Sequence, residues 1–305
     1  MFNEPVVLIY IVIFAVSLVL AYFRRKTFPF GESLAVMLIV GVGFTLAVHF
    51  IAPAAAIPLS YALPNTSEIV FTLAYVVFVA ALLTRDRPMP AGWKGDFAKE
   101  KLAALAFKLA VFVLIPFGAL YIIWRRDLPS LGFSVTNLPA QLMSSLALIL
   151  LFGGFNFIAG SGAAPIRKKE FPAHQVALGL GIAFVWNIFE VGLVEEFFFR
   201  AFLQTRLMEL FGSAASGILA ASLLFGLAHA PGLYLRAADK GGPLGGKPAL
   251  IDAILYTILV LSPAGWFTGL LFFRTQSLLA PVLVHAGMDA VAHASDFIKG
   301  LKFCG

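Results

Sequence analysis

Nine apolar stretches decide what this chain can fold into. They cover residues 5–23, 34–51, 69–83, 102–124, 138–159, 176–210, 213–229, 253–273 and 278–294. A helix needs about 20 such residues to cross the hydrocarbon of a bilayer. Only 12% of the 305 residues are charged and 60% are hydrophobic, where a soluble domain carries roughly 25% charge. Most stretches are apolar all round, as membrane helices are. The expected fold is all-α, a polytopic transmembrane helical bundle of eight or nine spans.

The loop charges set the expected orientation. Alternate loops hold 16 of the 22 basic residues: Arg24 to Lys26, five between Arg85 and Lys101, Arg167 to Lys169, three between Arg236 and Lys247, and Lys299 with Lys302. Arg125, Arg126, Arg200, Arg206 and Arg274 are expected in the intervening loops and turns, and Lys108 inside a span. Cytoplasmic loops are the basic ones, so the N-terminus is expected outside and the C-terminus in the cytoplasm. The short loops point to a bacterial inner membrane. The net charge of +6 belongs to these loops and signals no nucleic-acid partner. The loops TRDRPMPAGWKGDF and RAADKGGPLGGKP are Pro- and Gly-rich and expected to be flexible. The single cysteine, Cys304, excludes an intramolecular disulfide and a Cys-rich metal site, and the terminal Phe-Cys-Gly is not a prenylation box. With no basic region ahead of it, the first apolar stretch is expected to be an uncleaved anchor.

The first five spans carry few polar groups, and Glu32, His49 and Glu68 lie near predicted ends, where water is within reach. The last four hold nearly all the chemistry. Glu195 and Glu196 are adjacent in the sixth span and Arg200 follows, although a charge at membrane depth costs roughly 2.5–3.5 kcal/mol on insertion scales. Glu196 and Arg200 are i,i+4 neighbours, which predicts a structural ion pair. Glu195 shares the face of Asn187 and Val191 and has no local cation. A carboxylate stripped of water in this way suits a proton acceptor better than a strut. His229 closes the run from Phe225, and His285 and Asp289 point the same way on the last span, with His293 continuing the stripe. Such a His–Asp pair can also simply satisfy itself. Phe197, Phe198, Phe199 and Phe202 are expected to pack toward lipid, the alternative being a lipid-like substrate groove.

Helix counting brings the clusters together. The sixth and seventh spans turn most naturally at Gly212-Ser213, and Glu195 and His229 each lie 17 residues from Gly212, roughly 25 Å along their helices. An antiparallel hairpin sets them at one depth, in the cytoplasmic half of the membrane. The sixth span is then too long for the bilayer, and its start near Gly179 and Gly181 is expected to be interfacial or bent. His285 lies about nine residues past the turn Arg274–Ser277, nearer mid-membrane, and helix tilts of about 20° close much of the difference. A carboxylate, two histidines and an aspartate in one cavity predict an activated water. Glu195, helped by His229, takes its proton; the water attacks a peptide carbonyl; His285 and Asp289 stabilise the oxyanion. No serine or cysteine shares the cluster, so no covalent intermediate is expected. Glu195, His229 and His285 are also competent ligands for a divalent metal such as zinc, and the residues alone leave both versions open.

These three motifs, EEFFFR at Glu195–Arg200, FGLAH at Phe225–His229 and HAGMD at His285–Asp289, in this order and spacing, resemble the CPBP family of CAAX proteases and bacteriocin-processing enzymes, the Rce1-like intramembrane proteases. The likeness covers about residues 180–295. It implies hydrolysis of a peptide bond in a membrane-associated or C-terminally prenylated substrate. It also implies that Glu195 and His229 activate water, that His285 and Asp289 form the oxyanion site, and that Glu196 and Arg200 support the first motif. Eukaryotic-type prenyl proteases have Asn at the last position. An ionised Asp289 cannot donate to an oxyanion, so it is expected to be protonated, to orient His285 or to bind metal. The motifs divide the chain into motif-free helices over 1–170 and a catalytic transmembrane domain over 171–305. Two other functions fit less well: a non-catalytic immunity or membrane-partner-binding protein, against which the intact motifs stand, and a proton-coupled transporter, for which polar helices in both halves are expected.

Overall fold

The computed structural model describes residues 5–55, 66–85, 90, 92–236, 244 and 248–301. Residues 86–89, 91, 237–243 and 245–247 of the two Pro- and Gly-rich loops, with Lys302 and Cys304, fall outside that set. Among the described residues all regular structure is helical. The long helices are α1 (Pro5–Phe23), α2 (Phe30–Ile51), α3 (Thr66–Leu83), α4 (Phe97–Ile123), α5 (Leu138–Ala159), α6 (Ala173–Phe211), α7 (Ala214–Leu235), α8 (Leu250–Thr275) and α9 (Leu279–Gly300). The first eight are long and apolar enough to cross a membrane. The protein is an integral membrane protein.

Local chemistry sets the helix ends. Asp96 caps α4 by accepting from the Lys99 amide at 3.1 Å. Gly212 closes α6 at φ +61°, and Ser213 caps α7 through the Ser216 amide at 3.2 Å. A left-handed residue followed by a hydroxyl cap is a compact way to reverse an apolar helix, so the turn falls where the equal arms placed it.

Helix α6 runs for 39 residues, about 58 Å at 1.5 Å per residue, against roughly 30 Å of hydrocarbon. The excess length was expected, but the irregularity is elsewhere than at Gly179 and Gly181. It takes the form of wide, π-type turns at Ile188–Leu193 and Phe197–Gln204. Gly179 serves close packing instead: a Cβ there would lie 2.4 Å from Ile298.

Residues 1–50, 59–86 and 202–273 form one compact unit, and 51–58, 87–201 and 274–305 another. The division at residue 170 therefore describes where the motifs lie along the chain; both units draw on both sides of it.

In the first unit α8 is the interior helix, 61% buried over its apolar window against 22% for α1, α2 and α3. Small residues let it approach α7: Gly265 meets the Ser222 backbone, and Gly226 meets Ser262 and the Thr257 carbonyl. Close approach at small residues is how helices gain contact where lipid supplies no hydrophobic drive. Trp266 donates to the Tyr10 hydroxyl at 2.8 Å, and Arg24 pairs with Asp252. On α1, Ile9, Val12, Val16 and Val19 are each more than half exposed, as a lipid-facing belt is.

Glu68 does not reach water. It is buried in a 2.9 Å ion pair with Arg206, because two charges within apolar helices each cost less together than apart. Arg200 and Arg206 lie inside α6 and are buried, so neither is a turn residue.

In the second unit α9 packs against α5 and α6. Gly287 seats on Ile149, and Gly192 of α6 meets the Val282 carbonyl. This enclosure explains how α9, which lacks the hydropathy of the other eight, carries two histidines and two aspartates. Phe197, Phe198 and Phe199 are also buried here, at most 4% exposed, against Phe112, Phe117 and Phe133. In the first unit Phe202 packs on Phe71 and Tyr75. The lipid-facing expectation for these four residues is wrong: an apolar helix can turn its aromatics inward as readily as outward, and here it does.

Candidate active site

Four of the six predicted site residues converge in the second unit. Glu196 and Arg200 pair as their i,i+4 spacing demands, Nε to Oε2 at 2.9 Å, with both side chains fully buried. The other carboxylate oxygen of Glu196, Oε1, lies 2.7 Å from His285 Nδ1. An ionised carboxylate only accepts, so Nδ1–H donates and the tautomer of His285 follows. The opposite ring nitrogen, Nε2, faces Glu195 Oε2 at 4.0 Å.

That distance is too long for a direct hydrogen bond. The two carboxylates therefore bracket the imidazole, one holding it and one facing it. Glu195 and His285 keep 18% and 13% of their side-chain surface, while Glu196 and Arg200 keep none. The first pair alone keeps an open face, which sets Glu195 apart from the fully enclosed Glu196. Asp289 lies one turn beyond His285 and is half-buried; His285 turns Nδ1 to Glu196 and not to Asp289. His293, next on the stripe, contacts Asp296 at 3.4 Å.

His229 belongs to the first unit. It stands at a break in α7, between the segments Ala214–Ala228 and Ala230–Arg236. Its Nδ1 is 2.8 Å from the Phe225 carbonyl, and the two rings are 5.0 Å apart. A carbonyl only accepts, so Nδ1 carries the proton toward Phe225.

Two features escaped sequence reasoning. One is the second bond of Glu196, which makes a structural residue also the orienter of His285. The other is Glu190, buried against α4, with Lys101 at 3.0 Å, Lys108 at 3.6 Å and the Trp186 indole N–H as partners. The signal for Glu190 was present: Trp186 is its i−4 neighbour, and Lys108 stood in a span with no anion assigned.

The chain matches no curated protein and no solved structure. Residues 177–291 match the family model described as Type II CAAX prenyl endopeptidase Rce1-like. The match spans all three motifs, Glu195–Arg200, Phe225–His229 and His285–Asp289. Over residues 177–291, this chain is similar to the Rce1-like family of type II CAAX prenyl endopeptidases.

Proposed function

We infer that this protein hydrolyses a peptide bond of a membrane-associated, CAAX-type substrate with water activated by Glu195 and His229. The observation that carries this reading is the bracketing of His285 by two unlike carboxylates, Glu196 buried at Nδ1 and Glu195 partly open to solvent at Nε2. Glu195 accepts the proton of the attacking water and returns it to the leaving amine as the carbon–nitrogen bond breaks. His229 is suited to hold the same water; this pairing rests on the motifs and on the equal arms about Gly212. A second proton on His285 makes Nε2 the donor to the developing oxyanion, and Asp289 stands one turn along the same helix. A pre-aimed donor in a dry site is the largest single contribution to most acyl-transfer catalysis.

Among the described residues no three His, Cys, Asp or Glu side chains stand together as metal ligands, so no step is routed through a metal. The basic loops orient the C-terminus to the cytoplasm of a bacterial inner membrane. With that orientation, the 17-residue arm from Gly212 puts Glu195 in the inner half of the bilayer, open to substrate from the cytoplasm or laterally from the inner leaflet.

The test is cleavage of prenylated and unprenylated peptides by purified protein in detergent. Glu195→Ala and His229→Ala abolish cleavage and remain folded. Full activity in Glu195→Ala overturns the mechanism, and activity that tracks a stoichiometric metal overturns the metal-free version. Proton-coupled uptake without cleavage would indicate a transporter instead.

A further inference from the structure

Lys108 is a charge inside a membrane-spanning helix that the proposed reaction does not use. Its Nζ lies 3.6 Å from the Glu190 carboxylate and donates to the Glu190 backbone carbonyl at 3.2 Å. That carbonyl belongs to the π-type turn Ile188–Leu193 of α6. Widening a turn takes a carbonyl out of the regular i→i−4 ladder, and a buried carbonyl needs a donor from elsewhere. Lys101 and the Trp186 indole hold the carboxylate of the same residue.

The opposite side of this turn is fastened too. Gly192 lies against α9 so closely that a Cβ would be 2.6 Å from the Val282 carbonyl. Glu196, one turn past Gly192 on α6, meets His285, one turn past Val282 on the oppositely running α9. An extra residue in a turn rotates everything beyond it by about 100°. The azimuth of Glu195 and Glu196 toward His285 thus depends on the wide turn being kept.

We propose that Lys108 is a positioning residue: with Glu190 it locks the wide turn of α6 and so aims Glu195 and Glu196 at His285. The catalytic consequence rests on the hydrolytic reading above; the geometric consequence does not. A displacement of about 1 Å at a reacting group can lower turnover on the order of 10²-fold.

The experiment uses the full chain in detergent, with Lys108→Met, Lys108→Arg and Glu190→Gln, and two readouts. One is the split between kcat and KM on a peptide substrate. The other is the Nδ1 proton resonance of isotope-labelled His285, which reports its hydrogen bond to Glu196 whether or not the protein proves to be a protease. In Lys108→Met the kcat falls roughly 10- to 100-fold with little change in KM, and the His285 resonance shifts or broadens. Lys108→Arg restores most of both. If Lys108→Met does not fold, Glu190→Gln, which keeps an acceptor for Trp186, shows the same pair of changes in lesser degree. An unchanged His285 resonance in a folded Lys108→Met or Glu190→Gln overturns the positioning role. A shifted resonance without cleavage in any form of the protein supports it and overturns the hydrolytic reading instead.

Discussion

Glu196 and His285 are 89 residues apart in the chain and joined by a 2.7 Å hydrogen bond. The bond gives a buried carboxylate two tasks, since its other oxygen holds Arg200 at 2.9 Å. Removing a partner from such an arrangement leaves an uncompensated charge in a dry interior, which costs roughly 3–5 kcal/mol. Glu196→Ala is therefore expected to unfold at markedly lower denaturant or temperature than wild type. Glu196→Gln, which keeps an acceptor for His285, retains the fold and loses turnover by roughly 10- to 100-fold, as changes to orienting partners do. Glu195→Ala behaves oppositely, keeping stability and losing cleavage. Equal stability losses at both positions would refute the division of labour.

Gly192 makes a second prediction. A methyl group there would meet the Val282 carbonyl at 2.6 Å, and backbone cannot move aside cheaply. Gly192→Ala should cost about 1–3 kcal/mol, the usual range for overpacking, and should lower kcat by moving α9 away from α6. Thermal unfolding and peptide cleavage, measured side by side, check both halves.

The Glu68–Arg206 pair lies in the other unit and is expected to matter for stability alone. Either single neutralisation, Glu68→Ala or Arg206→Met, should destabilise by roughly 3–5 kcal/mol. The double variant Glu68→Leu with Arg206→Met recovers most of that loss, because apolar replacements of a buried pair are often neutral or better. In all three, kcat of the folded fraction stays at the wild-type value; a fall in kcat with normal stability would place this pair in the reaction.

Asp96 carries a pH dependence at the start of α4. The Lys99 backbone N–H, and then its side chain, hold the Asp96 carboxyl below its ordinary value. A carboxyl lowered in the folded state stabilises above its unfolded value, about 3.9, and that contribution is lost as pH falls through the lower folded value. Protection of the Lys99 amide against hydrogen exchange should accordingly be constant near neutrality and drop below about pH 4. Asp96→Ala removes the drop. Wild-type protection that stays constant through that range would show the cap to be idle.

The number of helices, the Gly212-Ser213 turn and the Glu196–Arg200 pair were legible in the sequence because each depends on residues close along the chain: a run of apolar side chains about as long as the bilayer is thick, a Gly-Ser turn, a four-residue spacing; several helix ends lie three to six residues beyond the apolar runs. The charged residues within apolar spans were legible too, since a charge there stands out whatever it touches. Only the tertiary structure decided what those charges face. Glu196 reaches His285, Glu68 meets Arg206, Glu190 gathers Lys101 and Lys108, and three adjacent phenylalanines of α6 turn inward. A helix apolar on every side does not mark its buried face, and each wide turn of α6 rotates the residues beyond it by an amount that run length does not record. Azimuth, not depth, separates a lipid-facing side chain from a buried one in this protein, and azimuth is set by packing between helices.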